Sequence, residues 1–191
     1  QGDVESIERF VRQIYEQEEE IHVLVNNSVA RPMRSFDADI SAFRESMEVN
    51  ATGLFHLTRL VADRMGRAGS GSIINVSSIQ GVVGVDPTLY EGLPMSGSIP
   101  DYFFHKAGLI NLTRFLASHY GTRGVRVNAV SPGGLWNDQN PEFVKRYNDR
   151  TMLGRMADRD DIKGVVVFLA SDASKYITGE NIMLDGGYVQ K

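Results

Sequence analysis

The sequence predicts an α/β fold built on a parallel β-sheet, and three observations carry that reading. Short, nearly continuous apolar runs alternate four times with longer segments whose apolar residues recur every three or four positions. That is the pattern of strands covered on both faces and of the helices that cover them. The first three runs end in Asn26-Asn27, Ser77-Ser78 and Ser131-Pro132-Gly133, polar or small residues placed where ligands gather in such sheets. Finally, 191 residues, 42% of them hydrophobic, suffice for one domain, 1–191, with a sizeable core and no linker or repeat.

Taken in order, Asp3 is expected to cap a first helix carried by Val4, Ile7, Phe10, Val11 and Ile14, with the acidic run 16–20 solvated near its end. A first strand is read at 21–26. A helical segment follows over 39–65, through Ile40, Phe43, Met47, Leu54, Leu57, Val61 and Met65. Asn50 and Gly53 interrupt its apolar register, which predicts a kink there. A turn is predicted at 69–72 and a second strand at 73–78. The loop from 81 to 100 is long for a compact α/β domain. A helix then runs to Tyr120, stopped by Gly121 and Gly124, and a third strand occupies 125–130. Helices at 141–149 and 159–170 precede a last strand at 181–184, which closes with Asp185-Gly186-Gly187.

Composition narrows the partners. A net charge of −4 gives no electrostatic reason to expect nucleic acid or an anionic membrane. The absence of cysteine excludes disulfides and thiolate metal sites, and His22, His56, His105 and His119 lack metal-ligand spacing, so no metal is expected and each is read as a surface or packing residue. No apolar run reaches the ~18–20 residues of a membrane span. The acidic start lacks the apolar core of a signal peptide. A cytoplasmic protein with a small-molecule substrate is expected.

Tyr102 and Lys106 lie four residues apart at the head of a helical segment, so they share one face. A phenol beside a fixed cation has its phenolate favoured by the opposite charge, and the pair is a candidate for acid–base chemistry.

Around that pair, in order, the motifs resemble those of the short-chain dehydrogenase/reductase family over essentially the whole chain. Leu24-Val25-Asn26-Asn27 is similar to the family's Asn-Asn-Ala-Gly motif, and Val49-Asn50 to its mid-domain catalytic Asn. Ile74-Asn75-Val76-Ser77-Ser78 resembles the strand that ends in the catalytic Ser, and Tyr102 with Lys106 its Tyr-x-x-x-Lys. Asn128-Ala129-Val130-Ser131-Pro132-Gly133 and Ile177-Thr178-Gly179-Glu180 resemble the Pro-Gly cofactor loop and the C-terminal signature.

The resemblance implies a Rossmann-like doubly wound parallel sheet, NAD or NADP as cofactor, hydride transfer between nicotinamide and a secondary alcohol or ketone, and a homo-oligomer, dimer or tetramer. Tyr102 would be the general acid/base, and Lys106 would lower its pKa and hold the nicotinamide ribose. Ser78 would donate a hydrogen bond to the substrate oxygen, and Asn50 would hold a water linking Lys106 to solvent. Asp3, Val4, Asn26, Ser28, Pro132 and Gly133, with Tyr102 and Lys106, would contact the cofactor. Ser78, Tyr90, Gly134 and Trp136 would face the substrate.

Three departures qualify the resemblance. No Gly-rich phosphate-binding fingerprint is present, and Gln1-Gly2-Asp3-Val4 looks like the end of the family's third strand, so about 50–60 residues of a longer parent are expected upstream. The strand at 23–26 is then expected to present an apolar edge. Ser28-Val29 replace the family's Ala-Gly. Ser78 and Tyr102 are 24 positions apart, and the excess over the usual spacing lies in 86–100, which would carry Tyr90, Glu91 and Met95 towards the substrate. Such a loop resembles that of members associated with sugar, surface-polysaccharide or flagellin-modification pathways. The alternative reading is a catalytically silent fragment or oligomerising scaffold that no longer binds dinucleotide.

Overall fold

The computed structural model describes residues 1–97 and 99–191. Four parallel strands, β1 (Val23–Asn26), β2 (Gly71–Val76), β3 (Val125–Pro132) and β4 (Asn181–Leu184), lie side by side in chain order. Between and before them run α1 (Val4–Gln17), α2 (Ile40–Met47), α3 (Leu54–Ala68), α4 (Pro100–Tyr120), α5 (Pro141–Asn148) and α6 (Arg159–Ala170). The expected α/β architecture is therefore present, with helices on both faces of the sheet.

Period-two alternation decides which helix covers which face. Ile73, Val125 and Val127 point to one side and pack with Ile7 and Val11 of α1, Val61, Ala62 and Met65 of α3, and Leu116, Ala117 and Tyr120 of α4. Ile74 and Val130 point to the other side and pack with Leu169 of α6. The strands advance across the sheet in one direction, so the α3 and α4 crossovers on one face and the α6 crossover on the other have opposite hands. Val23 and Val25 of edge strand β1 point to the α6 face and remain 38% and 41% exposed, the apolar edge that the pattern predicts.

Several boundaries differ from expectation. Asp3 does cap α1, accepting from the Glu5 N–H at 3.2 Å, but residues 1–3 form no strand. β1 begins two residues later than read, at Val23. β2 begins at Gly71 and ends at Val76, so Gly71 and Ser72, read as turn, pair with Val125 and Arg126, while Ser77 and Ser78 lie beyond the strand. Turn chemistry is confined to Gly69, whose φ of +79° ends α3 in the left-handed region. Ser72 tolerates full burial because its hydroxyl donates to the Leu169 carbonyl at 2.7 Å. β3 extends past 130 to Pro132, where Ser131 and Pro132 still register with Met183 and Leu184. The predicted kink is a π-helical turn, Glu48–Gly53, that joins α2 to α3.

Candidate active site

The carboxyl end of β2 delivers two hydroxyls to the flank of α4. Ser77 donates its N–H to the Val130 carbonyl at 2.7 Å and its hydroxyl to the Lys106 carbonyl at 2.9 Å. Ser78 caps the short 3-10 turn Ile79–Gly81, accepting from the Gln80 N–H at 3.2 Å. Gly81 then lies against α4 so closely that a Cβ there would meet the Lys106 carbonyl at 2.8 Å. These contacts fix the Ser78 turn against the helix that carries Tyr102 and Lys106.

Pro100 occupies the first turn of α4, where its missing N–H is not needed. Tyr102 and Lys106 follow on one face, both buried, and the Lys106 ammonium lies 5.5 Å from the Tyr102 ring centroid. That ammonium donates to the Val76 carbonyl at 2.6 Å. Burial first, and then the positive charge of Arg31, push the Lys106 pKa down to about 8. Arg31 itself stacks its guanidinium over the Tyr102 ring, 4.6 Å from the centroid. His105 meets the same ring edge-on at 5.3 Å, and burial together with Lys106 and Arg31 holds its pKa down at about 4.

Asn50 sits in the π turn and is buried. Its amide clamps the loop after β1, donating to the Ala30 carbonyl and accepting the Ala30 N–H, both at 2.8 Å, and it donates to Ser46 Oγ at 3.0 Å. Asn26 ends β1 inside a buried relay: its amide donates to Thr58 Oγ1 at 2.9 Å and to Asn75 Oδ1 at 2.8 Å, and Asn75 donates to Thr113 Oγ1 at 2.9 Å. One polar line thus ties α3, β1, β2 and α4 together beneath the strand ends.

The remaining candidates are spread around this centre. Ser28 is exposed in the loop after β1, and Asp3 and Val4 are exposed at the start of α1, where the Asp3 carboxylate is taken up by the helix cap. Gly133 donates to the Leu184 carbonyl at 2.9 Å, and Gly134 to the Tyr147 hydroxyl at 2.5 Å. Trp136 is 56% exposed. Tyr90 packs at a tilt against Phe143, ring centroids 5.3 Å apart, and with Met95 it joins a cluster of Ile79, Phe143, Tyr147 and Met156. Arg150 grips Asp86 and Thr88, and Arg146 donates to the Glu91 carbonyl at 2.7 Å, so the long loop is strapped to α5. Glu91 is exposed and contributes that carbonyl, not its carboxylate.

Arg31 and Tyr147 escape a reading of the sequence. An isolated Arg before a Pro resembles any solvated loop charge, and aromatics four apart, Phe143 and Tyr147, resemble a core stripe. Among the described residues no group of three or more His, Asp or Glu is placed to hold a metal ion, and no helix is long and apolar enough to cross a membrane.

A family model described as enoyl-(acyl carrier protein) reductase matches residues 2–189. The chain is 35% identical to an L-rhamnose 1-dehydrogenase (NAD(P)(+)) of Azotobacter vinelandii, across 97% of this chain and 72% of that protein. It is 32% identical to a galactitol 2-dehydrogenase (L-tagatose-forming) of Cereibacter sphaeroides, across 88% of this chain and 65% of that one. A solved short-chain dehydrogenase from Leptospira borgpetersenii with bound NAD+ superposes with a TM-score of 0.87 at 32% identity, across 98% of this chain and 72% of that one.

Proposed function

Because the chain belongs to the short-chain dehydrogenase/reductase family, we propose that it interconverts a secondary alcohol and a ketone with NAD or NADP, using Tyr102 as the general acid and base. The observation that carries this reading is the buried pair itself, an ammonium fixed 5.5 Å from the Tyr102 ring. An ammonium has three donors, and Lys106 commits one of them to Val76, which leaves donors for the hydroxyls of a nicotinamide ribose. The residues therefore fit such a cofactor, with Pro132 and Gly133 at the end of β3 and Asn26 and Ser28 at the end of β1 as its further contacts. When bound, NAD(P) supplies the hydride acceptor or donor.

In the oxidative direction the substrate carbon gives up a hydride and its hydroxyl a proton, and Tyr102 takes the proton. The Lys106 charge opposes the negative charge left on the phenol oxygen whenever Tyr102 gives its proton back. Ser78, fixed by its own turn, donates to the substrate oxygen where charge develops. Asn50 acts through the loop that it clamps and, with a bound water, through a proton path from Lys106. Tyr90, Gly134 and Trp136 are assigned to the substrate side. The sugar and polyol names of the two relatives, together with the long loop strapped to α5, support a sugar-like substrate. Self-association is part of the same proposal, because Phe104 and Phe115 on α4 are 64% and 60% exposed.

The test is Tyr102→Phe. Turnover, followed as nicotinamide absorbance with a panel of polyols, aldoses and ketones, is expected to disappear, while nicotinamide fluorescence on cofactor titration stays close to wild type. Unchanged turnover would remove Tyr102 from the mechanism, and a protein that binds no dinucleotide would leave the scaffold reading in its place.

A further inference from the structure

The guanidinium of Arg31 is a charge at the candidate site that the proposed chemistry does not use. It is exposed, yet it is held in place from both sides. Ala30, immediately before it, is gripped by the two Asn50 hydrogen bonds at 2.8 Å. Pro32, immediately after it, restricts its backbone, and Met33 is buried. The cation is therefore presented, not trailing in solvent. It stacks 4.6 Å from the centroid of the Tyr102 ring. Among the described residues it makes no ion pair and no hydrogen bond, so all five of its N–H donors are available. Asp101, the buried residue just before Tyr102 in the first turn of α4, makes no hydrogen bond or ion pair to it, its oxygens having no partner among the described residues. Besides burial, the influence shared by Lys106 and His105 is the positive charge of Arg31.

Two cations therefore flank one phenol ring, Lys106 buried and Arg31 exposed. A planar fork of donors is the group suited to a carboxylate, which it can hold through two parallel hydrogen bonds. Its position on the Tyr102 ring ties it to whatever lies within hydrogen-bond reach of the Tyr102 hydroxyl. Resting on the function proposed above, we infer that Arg31 binds an anionic group of the substrate, and that the site takes a hydroxy acid of the sugar-acid type in preference to the neutral polyol of the same carbon skeleton.

The two probes are gluconate and glucitol, titrated calorimetrically into the chain with and without saturating NADH or NADPH. Wild type is expected to bind gluconate about tenfold or more tightly than glucitol, with the preference falling as salt rises. In Arg31→Gln the preference is expected to shrink to within about twofold, and Arg31→Lys to keep part of it. Circular dichroism of both variants should match wild type, since the side chain is exposed. Equal affinity of wild type for the two probes, no binding of either, or a preference that survives in Arg31→Gln would each overturn the inference. So would an Arg31→Gln protein whose NADH or NADPH affinity drops while its gluconate preference persists, because the guanidinium would then serve the cofactor phosphates. Failure of the oxidoreductase reading looks different: the gluconate preference would be present in a protein that oxidises neither probe.

Discussion

At position 105 the fold holds an imidazole that burial, Lys106 and Arg31 keep neutral down to about pH 4. An unfolded histidine titrates near 6.5, so between these values the unfolded chain binds a proton that the native state refuses. Stability is fully present above pH 6.5 and falls as the solution is acidified towards 4, by an amount on the order of 3 kcal/mol. His105→Phe keeps a ring against Tyr102 and removes the titration. Urea denaturation at neutral and acid pH should show the variant losing most of this dependence, and parallel pH profiles would refute the assignment. Tyr102, Lys106, Ser78 and Asn50 could be picked out from the sequence because each lies in a short motif of fixed spacing. Arg31 could not, because its meaning depends on a ring 71 positions away that only the folded loop brings beneath it. His105 was legible only as a surface or packing residue, and its burial decides for packing.

Among the elements, the 3-10 turn after β2 is the most exacting. An alanine at Gly81 would place its Cβ 2.8 Å from the Lys106 carbonyl carbon and oxygen, and backbone cannot give way as a side-chain tip can. Gly81→Ala is expected to cost about 1–3 kcal/mol and to shift Ser78 relative to Tyr102. Turnover should then fall by about tenfold or more beyond what Val61→Ala, a core change remote from the site, produces. Equal activity losses for the two variants would mean that the turn does not position Ser78. Helix and strand types were legible because periodicity is a local signal. The start of β2 was not, because Gly-Ser-Gly-Ser has turn chemistry that pairing with β3 overrides, the buried Ser72 hydroxyl being satisfied by a carbonyl 97 residues away. The π turn was legible only as a kink, since a misplaced Asn and Gly mark an interruption without saying which form it takes.

For the molecule as a whole, the second face of the sheet is covered by α6, with Leu169 at the centre of the contact. Leu169 is fully buried against Ile74 and Val130, and Leu169→Ala is expected to cost about 2–5 kcal/mol in urea unfolding. A loss under 1 kcal/mol would show that the α6 face closes around the gap. Parallel order and two-sided cover followed from the unbroken apolar runs, whereas the change of face before β4 did not, because periodicity says that a strand is covered and not by which helix. That change of face has a kinetic side. The first two crossovers can assemble from segments adjacent in sequence, but Ile74 stays bare on one side until a helix 85 positions further along has crossed over. The second face is thus the late one, and damage at Leu169 belongs in a faster unfolding rate more than in a slower folding rate.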